Sequence, residues 1–107
     1  MPNLREVFLQ ARDRFNREAA TGLEACIQFS IPDAGDCYLV VVDSKCYLHD
    51  GVSDKPTATL IMDLQTLLDV LNGKVNGMQA FMFGRIKALG DLSHATKVSE
   101  LFPVTPK

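Results

Sequence analysis

Apolar positions change spacing twice along this chain, and the changes mark its elements. Between residues 3 and 18, Leu4, Val7, Phe8, Ala11 and Phe15 share one helical face. Arg5, Glu6, Arg12, Asp13 and Arg17 surround the other face, and Asn3 stands where a cap belongs. After Gly22 the period drops to two. Ala25, Ile27, Phe29 and Ile31 alternate with Cys26, Gln28 and Ser30, which predicts a half-buried strand. Pro32 to Gly35 turn the chain, and the β-branched run from Cys37 to Asp43 predicts a central strand. A tight connection through Ser44 and Lys45 leads into a third strand over Cys46 to His49, making an antiparallel meander.

The second half is more helical. A polar loop from Asp50 precedes a fourth strand over Thr57 to Met62, and Asp63 then stands as the cap of a helix. Leu64, Leu67, Leu68 and Leu71 form that helix's stripe, and Asn72-Gly73 stops it. Met78 to Phe83 predicts a short helix with no charge in it, so both its faces are expected to meet something apolar. A fifth strand over Arg85 to Leu89 turns Ile86 and Ala88 to one side. Asp91 or Ser93 opens a last helix through Ala95, Val98 and Leu101, and Pro103 and Pro106 end regular structure. This order predicts an α+β fold: one domain, a mostly antiparallel five-stranded sheet with helices on one face.

Composition narrows the function classes. The chain has 107 residues, 47% of them hydrophobic, enough for one core. A net charge of −2 offers no basic footprint, so no nucleic-acid partner is expected. No apolar run approaches the length of a membrane span. The charged N-terminal stretch does not read as a signal peptide, and the ending PVTPK lacks a Ser-Lys-Leu address. A cytoplasmic protein is the expectation. Cys26, Cys37 and Cys46 are odd in number and lack C-x-x-C spacing, so they are expected reduced.

Catalytic chemistry finds little support. Cys46, His49 and Asp50 superficially resemble a nucleophilic set, but positions three apart on a strand face opposite ways. His94 has no His or Cys partner at i+4, so no metal site is expected. Glycine-rich phosphate and dinucleotide loops are absent, and no cofactor is expected. The remaining signal is apolar. Met78, Phe81, Met82 and Phe83 crowd two thioethers and two rings into one short element, which suits either a core or an adaptable ligand surface.

The stretch MQAFMFGRIKALGDL resembles the glycine-bounded signature of the sterol carrier protein 2 (SCP2-like) family, and the order of elements agrees along nearly the whole chain. The resemblance implies a five-stranded sheet covered by helices with an apolar tunnel between the layers. It implies non-catalytic binding and intracellular transfer or presentation of a fatty acid, acyl-CoA or sterol. By position it assigns Met78, Phe81 and Met82 to the tunnel border, and Ile86, Leu101 and Phe102 to its closure. Leu67, Val70 and Leu71 join from the preceding helix, Phe29 and Val40 supply a floor, and Gln79 is the polar partner for a head group. Two departures stand out: Tyr38 where the family often has Trp, and Leu89 near where a further Lys is common. The basic-leaning first helix suggests transient membrane contact, and a monomer and a homodimer are both open. The alternative function is an accessory interaction or dimerisation module of a lipid-modifying system with no retained ligand.

Overall fold

The structure is a computed structural model that describes residues 4–72 and 74–102. Asn3, Gly73, Pro103 and Pro106, and the side chains of His94, Ala95 and Val98, lie outside that description. The elements are α1 (Leu4–Arg12), β1 (Ala25–Ile31), β2 (Gly35–Val42), β3 (Lys45–Asp50) and β4 (Ala58–Ile61). α2 (Leu64–Leu71), α3 (Gly77–Met82), β5 (Lys87–Gly90) and α4 (Leu92–Leu101) follow.

The five strands form one sheet in the order β3-β2-β1-β4-β5. All neighbours are antiparallel except β1 and β4. The β2–β3 hairpin turns on Asp43 and Ser44, both at positive φ (53° and 59°), the two left-handed residues that a type I′ turn requires. The parallel β1–β4 pair demands a crossover from β3, and Gln28 anchors it. Gln28 is buried on the outer face of β1, where its Nε2 donates to the carbonyls of Cys37 and Gly51. Its Oε1 accepts from Ser53 N at 2.7 Å. A buried amide costs stability unless its donors and acceptor are matched, and here they are. Thr57 then locks the start of β4, its hydroxyl bonding both N and O of Cys26.

Strand alternation assigns the faces. Ala25, Ile27, Phe29 and Ile31 of β1 point into the core together with Cys37, Leu39 and Val41 of β2. Val40, expected to face inward, pairs with Cys26 and lies half-buried on the outer face. An unbroken apolar run such as YLVVV carries no phase of its own; the pairing with β1 supplies it.

The helices cover the inner face. α1 buries Leu4, Val7, Phe8 and Ala11. It stops at Arg12, short of the expected Glu18, because Asn16 diverts the backbone. The Asn16 side chain accepts from Glu18 N and Ala19 N, and the Asn16 backbone N–H donates to Leu101 O at the end of α4. Asp63 caps α2 as expected, accepting from Thr66 N at 2.7 Å. The Thr66 side chain and then this backbone bond, both donating to it, hold its carboxyl below the usual carboxylate range. α3 begins at an Asn76 cap and buries one side chain, Ala80.

Candidate functional site

Two neighbouring depressions lie where α1 crosses the β2–β3 hairpin. Helical spacing places Arg5, Phe8, Leu9 and Arg12 along one stripe of α1, facing the sheet edge. Opposite them, Leu39 of β2 pairs with Leu48 of β3, and Val41 pairs with Cys46. Leu39, Cys46 and Leu48 form the floor of an apolar cleft of about 70 Å³, and Phe102 closes its far wall. Phe102 is positioned by Phe15, whose ring centroid lies 5.7 Å away. Phe8 is fixed in turn by Phe29 beneath it, at 4.8 Å.

Arg12 and Cys46 also line a second, open recess of about 300 Å³ beside the cleft. Arg12, Arg17 and Lys45 line it with Phe15, Ser44, Cys46 and Tyr47, and no carboxylate is among those residues. An apolar slot opening beside three cations is complementary to an amphiphile with an anionic head. Hydrophobic burial of a chain is favourable by about 0.8 kcal/mol per methylene, so the slot needs few polar contacts.

The outer end of α1 is fastened lightly. Arg5 reaches Asp50 at the end of β3 at 3.1 Å, with both side chains more than half exposed. Such a pair contributes only ~0–1 kcal/mol. On the opposite side, Arg14 Nη2 donates to Leu71 O at 2.6 Å, tying the following turn to α2.

Cys37 and Cys46 are poor nucleophiles here. Burial, with Asp50 and Asp36 adding negative charge, pushes the Cys37 thiol up to about 12. Cys46 at the junction of the two depressions is raised by burial, with Arg12 pulling the other way. Cys46 lies on the inner face, whereas His49 stacks on Tyr38 at 5.0 Å on the outer face, so these two side chains do not pair.

The residues expected around a tunnel divide into three groups. Phe29, Leu67, Val70, Leu71, Ile86, Leu101 and Phe102 are buried in one core cluster. Val40 is on the outer face. Met78, Gln79, Phe81 and Met82 are exposed on α3, and Phe83 with them, instead of facing the sheet. Of the two apolar surroundings expected for Met78–Phe83, a protein core or a bound lipid, the core is therefore not what these side chains meet. A six-residue helix capped at Asn76 makes its contact with the fold through Ala80, whose carbonyl accepts from Arg85 N at 2.8 Å. Arg5, Leu9, Arg12, Leu39, Cys46 and Leu48 were missed as a site. The i, i+4, i+7 stripe of Arg5, Leu9 and Arg12 was visible on the helix, but its juxtaposition with β3 was not.

The pattern of the SCP-2 sterol transfer family matches residues 6–103. No curated protein matches the chain. Among solved structures, the stereoselective inverting sec-alkylsulfatase Pisa1 from Pseudomonas sp. aligns with a TM-score of 0.74 at 21% identity. That alignment covers 91% of this chain but 16% of the sulfatase chain, so the fold there is one part of a larger protein. The UbiJ-SCP2 ubiquinone synthesis protein aligns at TM-score 0.69 and 13% identity, covering 94% of this chain and 92% of that one. Sterol carrier protein 2 from Yarrowia lipolytica, in its apo form, gives 0.66 at 18% identity, covering 94% of this chain and 90% of that one. At these identities the neighbours establish the α+β fold, and the family pattern, spanning nearly the whole chain, places this protein in the SCP-2 sterol transfer family.

Proposed function

We propose that this domain binds one amphiphilic lipid without catalysis, with its chain beneath α1 and an anionic head group at Arg12, Arg17 and Lys45. The observation that carries the reading is that the apolar cleft and the cationic recess lie side by side, with Arg12 and Cys46 lining both. The family and its sterol carrier relatives support a lipid ligand in general. A fatty acid or acyl ester of a phosphorylated carrier fits the charge better than an uncharged sterol. Three unpaired cysteines suit a reducing, cytoplasmic setting in which such a carrier exchanges cargo with membranes.

The cleft is smaller than the roughly 300–1,000 Å³ of sites that hold small molecules. A long chain enters only if α1 swings away from β3. Loss of the exposed Arg5–Asp50 pair is the low-cost step in that motion, while the Arg14–Leu71 bond holds the other end. Phe102 then remains a wall, and Phe29, beneath Phe8, joins Leu39, Cys46 and Leu48 in the floor. Leu67, Val70, Leu71, Ile86 and Leu101 support the layer behind them.

The test is a titration with a fluorescent fatty acid. Saturable binding is expected, weakened roughly tenfold by Arg12→Glu or Lys45→Glu, since charge-assisted contacts to the head group are lost. Equal affinity for an uncharged sterol probe would remove the head-group assignment. The small size of the closed cleft also favours a second reading, an accessory interaction module. A lipid-free native mass with no saturable binding would establish that reading instead.

A further inference from the structure

We infer that α3 and the residues after it form a docking surface for an anionic lipid bilayer. The surface is distinct from the α1 cleft and does not depend on what that cleft holds. Met82 and Phe83 are 74% and 77% exposed, and Met78 and Phe81 stand beside them. Large apolar side chains clustered this openly on a small domain mark a contact surface. Met and Phe are the flexible and aromatic types that insert among acyl chains.

Charge selects the occupant. From Lys74 to Gly90 the chain carries Lys74, Arg85 and Lys87 and no acidic residue, although the whole protein has a net charge of −2. Of the neighbouring carboxylates, Asp69 of α2 is paired with Arg85 at 2.9 Å. Asp33 and Asp63, which share a recess with Arg85 and Lys87, accept from Leu64 N and Thr66 N at the start of α2, and Asp91 accepts from the backbone and hydroxyl of Ser93 at the start of α4. Those three charges are partly offset by the helix N-termini that they cap. Exposed Lys74 and Lys87 thus flank the apolar tip along the chain, the arrangement of a segment seated at an anionic interface. Val52 provides the contrast. It is 69% exposed on the crossover loop, but it lies between Asp50 and Asp54 in sequence.

The chain contains no tryptophan, so a single one introduced by Phe83→Trp reports on this surface alone. Its emission is expected to shift blue on adding phosphatidylcholine vesicles containing phosphatidylglycerol, and to stay unchanged with phosphatidylcholine alone. Val52→Trp, in an otherwise native chain, is expected to stay silent with both. In the Phe83→Trp background, Lys74→Gln and Lys87→Gln should each lower vesicle affinity about fivefold, and Met82→Asp should abolish the shift while thermal unfolding stays cooperative. Unchanged emission of the Phe83→Trp variant with anionic vesicles would overturn the proposal. So would a shift indifferent to both lysines, or a concentration-dependent shift without vesicles, which would identify a second copy of the chain as the occupant.

Discussion

The α1 half and the α3 half of this protein both carry dense apolar sequence, yet they use it in opposite ways. α1 buries Leu4, Val7, Phe8 and Ala11 against the sheet and leaves charged residues outward. α3 buries Ala80 and leaves Met78, Phe81 and Met82 at the surface. The difference is one of length and anchoring. Nine residues give α1 about two and a half turns over β2 and β3, long enough to present a whole stripe. α3 has six residues between its Asn76 and Phe83 caps, and Gly84, at a φ of +80°, then turns the chain toward β5. Hydrophobicity alone does not decide burial. The reach of an element across the sheet does.

Truncation should separate the halves most clearly. Phe8→Ala removes a ring packed on Phe29 and is expected to cost about 3–5 kcal/mol in urea unfolding. Phe83→Ala is expected to stay within about 0.5 kcal/mol of the parent protein. Equal costs would erase the distinction. Between the halves in size is Gly90→Ala. Gly90 has φ +86°, and a Cβ there would meet Thr57 O at 2.6 Å, so a loss of about 2 kcal/mol or more is expected. A neutral result would mean that the β4–β5 edge is looser than its pairing indicates.

Asp63→Ala probes α2, the element between the two halves, and should cost about 1 kcal/mol. Its folded carboxyl lies below the ordinary range, as does that of Asp69 beside Arg85 and Gln65. The stabilisation is therefore full above the unfolded carboxylate pKa and fades as pH falls through the lowered folded value. Acid titration of the parent and Asp63→Ala should converge at low pH; a constant gap would contradict the capping account. The smallest stability effect is expected from Arg5→Ala, within ~1 kcal/mol. In the same variant, fatty-acid association should accelerate, because α1 is held less firmly over β3. Slower association would argue that Arg5 guides the ligand rather than restraining the helix.

Much of this fold can be read from residues. The alternation at Ala25–Ile31 reproduces β1, and Asp63, Asn72 and the Met78–Phe83 block place α2 and α3 to within a residue or two. What escapes is non-local. The phase of YLVVV depends on pairing with β1, so Val40 falls on the unexpected face. The parallel β1–β4 pair depends on Gln28 holding a crossover loop, which no single stretch announces. The candidate cleft joins residues 5–12 to Leu39, Cys46 and Leu48 and finally to Phe102. Their meeting is a product of strand order, so sequence periodicity pointed to the conspicuous Met-Phe block instead.

The most direct measurement is photo-crosslinking with a diazirine-bearing fatty acid, followed by peptide mass spectrometry. The proposed site predicts adducts on residues 5–12 and 45–48, competed away by excess unlabelled fatty acid. Competed adducts confined to residues 77–83 would contradict it and return the ligand to α3.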